Sequence, residues 1–233
     1  MKNKFLIITL CGLMLTGCFN SKPVETPAPH EQLSEGLKCT TGQQIFPGIV
    51  YFNNQYEYMF YDFEDEDLAD YTGWSVKLAD PSSTEPATSE ICSTIDGYPI
   101  ISASNMYHNS NASVIDVSSF KSYLVYFMRD MFNGAKANQI IGLDKLYTKN
   151  VYDMGYMFAN TNLDEYDVSN FDTSNVVDMD YMFSNTNAVE YNIENFVYND
   201  KLHAYGMFYQ ISSDFSKIHT SVDKEKWNSL LGL

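Results

Sequence analysis

The chain is expected to fold as an α/β solenoid, a right-handed coil of parallel strands and short helices with a β-rich cap at one end and a helical cap at the other. Two observations predict it. Met154-Gly155-Tyr156-Met157-Phe158 recurs twenty-five residues on as Met179-Asp180-Tyr181-Met182-Phe183, and the Met-Phe pair stands again at Met131-Phe132 and Met207-Phe208 with a weaker copy at Met106-Tyr107. A period of about 25 residues over five copies belongs to a solenoid of the leucine-rich size class. Within each copy the apolar spacing changes. Tyr166 and Val168 alternate with polar residues as in a half-buried strand, whereas Val176, Met179, Met182 and Phe183 fall on one face of a short helix or a run of 3₁₀ turns.

The other copies fill the same positions with Ile115, Val117 and Phe120; with Ile141, Leu143 and Leu146; and with Tyr191, Ile193 and Phe196. One coil cannot cover its own apolar side, so neighbours must stack with their strands parallel. Asp172-Thr173-Ser174-Asn175 reads as turn chemistry, its short polar side chains bonding the backbone between strand and helix.

Residues 38–104 hold Cys39 and Cys92, lack the Met-Phe pair, and show short alternating runs. Ile49–Phe52 and Tyr56–Tyr61 flank a hairpin turn at Asn53-Asn54-Gln55; Trp74, Val76 and Leu78 alternate; and Asp96-Gly97 is a tight-turn signal before Tyr98–Ile101. These form the expected N-terminal cap, with the array over 105–212 and a C-terminal cap over 213–233. In the latter, Ser221 begins an amphipathic helix with Trp227, Leu230 and Leu231 on one side. End coils of a solenoid need such lids over their apolar faces and strand edges.

The segment "DVSNFDTSNVVDMDYMF" (167–183) resembles the repeat of BspA-like leucine-rich-repeat surface lipoproteins. The likeness is closest over 147–183, looser over 105–146, and degraded over 188–208, where Lys201, His203 and Ala204 replace Val, Asp and Met. Gly73–Asp80 and Ile95–Ile100 are similar to the segment that precedes the repeats in that family. The resemblance implies a cell-surface binding or adhesion role and brings no catalytic residues with it.

Residues 1–17 read as an export signal: Lys2 and Lys4, an apolar run from Phe5 to Leu15, then Leu15-Thr16-Gly17-Cys18, which resembles a lipobox. Cys18 is then the expected lipidation site, and two or three acyl chains such as palmitate, at about 0.8 kcal/mol per buried methylene, hold the protein permanently at a membrane. Phe19 in place of an inner-membrane retention aspartate favours the outer membrane or cell surface of a bacterial envelope. Residues 18–37, with Pro23, Pro27 and Pro29, read as a flexible linker, able to reach roughly 60 Å if extended at about 3.1 Å per residue. Once Cys11 leaves with the signal and Cys18 carries lipid, Cys39 and Cys92 remain as an expected disulfide in an exported domain.

Lys and Arg number 14 against 30 Asp and Glu, a formal net charge of −16. Nucleic acid is therefore not an expected partner, and membrane contact is expected through the lipid alone. The strand residues that alternate with the core should face outward in three columns: Val114, Ile140, Glu165 and Glu190; Asp116, Gly142, Asp167 and Asn192; Ser118, Asp144, Ser169 and Glu194. Asp116, Asp144, Glu165, Asp167, Glu190, Asn192 and Glu194 are accordingly the candidate ligand-binding residues, for a protein or glycan ligand with basic surfaces favoured. A face made polar for solubility explains the same columns. Tyr156 and Tyr181, at one repeat position, either anchor contacts or pack along the coil. No cofactor or metal is expected: the acidic run Asp62–Asp67 lacks the glycine and spacing of an EF-hand loop, and the methionine ladder reads as core. The four histidines stand outside any metallohydrolase motif, and no nucleophile elbow or phosphate loop is present, so the chain is read as a non-enzyme. A structural lipoprotein scaffolding an envelope complex is the alternative to an adhesin or binding module.

Overall fold

A computed structural model describes residues 36–63, 71–211, 216 and 218–221. The expected export signal, Cys18, the expected linker up to residue 35, most of the acidic run and the expected terminal helix lie outside the described residues.

The N-terminal part is a six-stranded sheet of β1 (Leu37–Cys39), β2 (Val50–Asn53), β3 (Tyr56–Phe63), β4 (Tyr71–Leu78), β5 (Cys92–Ile95) and β6 (Tyr98–Ser102), in the order β1-β5-β6-β4-β3-β2. Asp96 and Gly97, at φ 49° and 84°, make the two-residue turn between β5 and β6, and Asn54-Gln55 makes that between β2 and β3. Alternation sends Tyr56, Tyr58, Phe60, Trp74, Val76 and Leu78 inward. Their polar tips are satisfied there: Trp74 Nε1 donates to the Ile95 carbonyl at 3.1 Å, and the Tyr58 hydroxyl accepts from Cys92 N at 2.9 Å. The sheet curls until its edges approach. Cys39 and Cys92 are disulfide-bonded between β1 and β5, and Asn53 Nδ2 on β2 lies 3.4 Å from the Cys92 sulfur.

The curled sheet runs straight into the array. Ser102 ends β6 and is also the first of five parallel rungs, Ser102, Phe127, Asp153, Asp178 and His203. A second column begins with Ala87 against Ile115 and includes β7 (Ile115–Asp116), β8 (Ile140–Ile141), β9 (Glu165–Asp167), β10 (Glu190–Asn192) and β11 (Ile218–His219). Pairing is parallel throughout this column, with Tyr166 level with Tyr191. The result is a β-solenoid of about five turns.

The expected short helices are absent among the described residues, which contain no α-helix at all. Each Met-Phe segment is instead a chain of tight turns. Met157, Ala159 and Thr161 donate backward to the carbonyls of Met154, Tyr156 and Phe158, while Met154, Tyr156, Phe158 and Asn160 donate across to the next coil at Asp178, Asp180, Met182 and Ser184. A helix would send every N–H along its own axis. Here alternate N–H groups leave the coil, because every fourth residue is left-handed: Asn105 and Asn109, Asp130 and Gly134, Tyr156 and Asn160, Tyr181 and Asn185, Gly206 and Gln210. Asn, Asp and Gly tolerate that conformation and terminate helices. The i, i+3 apolar spacing survives because a chain of turns also buries Met154, Met157 and Phe158 on one side.

Stacking builds the core. Tyr107, Phe132, Phe158, Phe183 and Phe208 form a ring column with centroids 5.3 to 5.6 Å apart, each nearly parallel to the next. Tyr166 and Tyr191 stack at 5.3 Å and meet that column edge-on, their buried hydroxyls bonded to Thr161 and Thr186 at 2.7 Å. Asp172-Thr173-Ser174-Asn175 is turn chemistry: Asp172 Oδ1 accepts from Ser174 N, and Asn175 Nδ2 reaches the Lys149 carbonyl of the preceding coil at 2.7 Å.

Candidate ligand-binding faces

On the strand side, the register corrects one coil of the expected face. Ile115 pairs with Ile140, not Ile141, and Ile141 is 39 % exposed. Gly142 is the inserted residue responsible. It sits at φ 88°, and a Cβ there would come within 2.4 Å of the Ser118 backbone, so the chain bulges and Leu143–Lys145 closes as a 3₁₀ turn. A one-residue slip exchanges the faces. Ile140 and Leu143 therefore lean on the core, Ile141 takes the outward place equivalent to Asp116 and Asp167, and β8 does not pair with β9.

The seven candidate residues consequently separate. Asp116 lies on β7, where its Oδ1 accepts from Ser118 N at 2.8 Å. Asp144 lies in the 3₁₀ turn and pairs with Lys145 Nζ at 2.6 Å. Coils three and four keep the rest together: Glu165 stands level with Glu190, and Asp167 with Asn192. Asp167 and Asn192 spend an oxygen on the backbone two residues on, at Ser169 N and Glu194 N. Glu165, Glu190, Asn192 and Glu194 line an open groove of about 490 Å³ with Ile218, His219 and Thr220 of the β11 segment. His219 Nε2 approaches Glu190 Oε2 at 3.6 Å, and Ser221 Oγ donates to the Glu194 carbonyl.

His219 was not among the expected face residues because β11 follows the last Met-Phe pair and carries no repeat motif. Among the described residues no group of three or more His, Cys, Asp or Glu side chains could hold a metal ion.

The five-turn array coincides with a match to known sequences. Residues 101–222 match the family described as "Mycoplasma protein of unknown function, DUF285". The chain belongs to that family. No curated protein and no solved structure matches it.

The DUF285 array carries a second ordered surface, on the turn side. Arg129 reaches across Gly155, where a Cβ would lie 2.5 Å from its guanidinium, to bond Asp178 at 2.8 Å and Asp153 at 3.4 Å, with Asp130 at 3.8 Å. One cation thus ties three coils. Burial pulls the Arg129 guanidinium down, but the carboxylates of Asp153 and Asp178 outweigh it and its pKa is raised. Asp153 is raised too: its burial, aided by Asp178, exceeds what Gly155 N and Arg129 return. The two directions are compatible, since a partly exposed guanidinium shared among three carboxylates does not fully offset the burial of Asp153. Beyond Arg129, the rings of Tyr156 and Tyr181 stack at 5.0 Å, with the guanidinium 5.2 Å from the Tyr156 centroid. Sequence reasoning missed this clasp; its signal was the 25-residue spacing of Asp153 and Asp178 with glycine at 155.

Proposed function

We propose that this DUF285 chain is a lipid-anchored, non-catalytic binding module of the bacterial cell envelope, which engages a basic protein segment through the groove of its third and fourth coils. The in-register pair Glu165 and Glu190 carries the reading. Parallel neighbours stand about 4.8 Å apart, so two carboxylates held level repel one another, and a lysine- or arginine-rich segment laid along the groove relieves that repulsion. The sequence resemblance to BspA-like surface lipoproteins and the lipobox at Cys18 support a tethered, outward-facing setting.

Two measurements test the parts separately. Metabolic labelling with a palmitate analogue should mark the wild type and not Cys18→Ala; label retained in the variant removes the anchor. For the groove, a twelve-residue Lys/Arg peptide at physiological salt should bind the wild type at least tenfold more tightly than Glu165→Lys/Glu190→Lys. Equal affinity eliminates the groove as the site.

A further inference from the structure

At its C-terminal end the tyrosine stack of the turn side opens into an exposed aromatic cluster. The repeat position held by Tyr156 and Tyr181 is Gly206 in the next coil, and the Tyr181 ring settles onto it: a Cβ on Gly206 would lie 2.6 Å from a ring carbon. Tyr205 and Tyr209 flank that glycine. Their rings stand at 78° and 85° to Tyr181, with centroids 5.5 and 6.2 Å away, and they are 60 % and 55 % exposed. Beside them runs an amide ladder in which Asn160 Nδ2 donates to Asn133 Oδ1 at 2.8 Å and Asn185 Nδ2 to Asn160 Oδ1 at 2.9 Å. Asn160, Asn185 and Gln210 hold one left-handed position in successive coils, and Gln210 is exposed.

A second observation concerns the backbone. Tyr156 and Tyr181 occupy left-handed backbone, at φ 57° and 56°, where the equivalent positions elsewhere are Asn105, Asp130 and Gly206. A bulky residue is disfavoured there by about 1 to 3 kcal/mol. Both side chains are only half-buried, so the core does not require them. Backbone strain maintained to hold rings at a surface points to a use for those rings.

We propose that Tyr181, Tyr205 and Tyr209, with the amides of Asn185 and Gln210, form a binding site for a neutral oligosaccharide. A pyranose presents a C–H face that packs on an exposed aromatic ring and a rim of hydroxyls that suits planar amides and phenolic oxygens. The rings are already fixed against one another, so binding orders little further. Charge selects against acidic sugars. Asp180, whose Oδ1 accepts from Tyr205 N at 2.6 Å, is adjacent, and Arg129, further back along the turn side, is occupied by its three carboxylates. This site is separate from the acidic groove and stands without it.

The test is affinity electrophoresis of the detergent-solubilised full chain in native gels containing a soluble β-1,3-glucan, a galactomannan or glycol chitin. At least one should retard the wild type, and Tyr205→Ala/Tyr209→Ala should weaken that retardation at least tenfold, while Tyr205→Phe/Tyr209→Phe retains most of it. Glu165→Lys/Glu190→Lys should be retarded like the wild type, so that failure of the groove and failure of the tyrosine site are told apart. In the unmodified chain, the same sugar must shift the ring resonances of Tyr205 and Tyr209, which keeps the test valid should the alanine variant unfold. Unchanged mobility with all three polysaccharides, or equal retardation of the alanine variant, overturns the proposal; a protein ligand bound by these rings in place of any sugar does the same.

Discussion

Truncating one ring of the phenylalanine column should cost more in the middle of the array than at its end. Phe158 is fully buried, stacked at 5.3 Å on Phe132 and 5.6 Å on Phe183, and met edge-on by Tyr166. Phe208 is 7 % exposed, with a stacked neighbour in Phe183 and an edge contact with Tyr191. Phe→Ala in a packed core costs about 3–5 kcal/mol, and each aromatic pair contributes about 0.5–1.5 kcal/mol beyond buried area. Phe158→Ala is therefore placed at about 4–5 kcal/mol and Phe208→Ala about 1–2 kcal/mol lower. Urea unfolding followed by far-ultraviolet circular dichroism reads both. With a slope of about 2 kcal/mol/M, Phe158→Ala lowers the midpoint by about 2 M and Phe208→Ala by roughly 1.5 M. Equal losses, or a larger loss at Phe208, would refute a core whose strength is the sum of coil-to-coil contacts.

Gly142→Ala should destabilise by about 2 kcal/mol or more in the same assay, because φ 88° and the Ser118 backbone both oppose a side chain there; a neutral change would mean that the bulge can be straightened. For Asp153 the sign follows from its raised pKa. The folded state holds this proton more readily than the unfolded chain, so its contribution is greatest below the ordinary carboxylate range and falls as pH rises through the folded value. Asp153→Asn should remove that falling component from a plot of thermal midpoint against pH between about 4 and 7, and a profile parallel to the wild type would show that Asp153 titrates alike in both states.

The repeat was legible because identical columns must stack: the Met-Phe pairs, Tyr166 and Val168 are apolar for one reason and recur at one interval. The local conformation was less so. Met154, Met157 and Phe158 carry the same spacing in a helix and in a chain of turns, and only the residues between them decide. Asn160, Asn185 and Gly134 hint at left-handed backbone, but Tyr156 and Tyr181 conceal it, since tyrosine seldom sits there. The strand face was misread at one coil because Ile140 and Ile141 are equally apolar; nothing in the pair says which belongs beneath Ile115. Gly142 decides it, through its contact with Ser118, and that contact exists only once the coils are stacked.

Side-chain length separates several aspartates of the array from the glutamates of the groove. Aspartate and asparagine are short enough to bond the backbone two residues on, and Asp116, Asp153, Asp167, Asp172, Asp178 and Asn192 all do so. These groups fix turns. Glutamate carries one methylene more and makes no such bond at Glu165 or Glu190, whose carboxylates project over the groove. On the proposed reading of the groove the glutamates are the groups a basic peptide would meet, and charge-neutralising Asp167 alone should disturb the turn at Ser169 more than binding of that peptide.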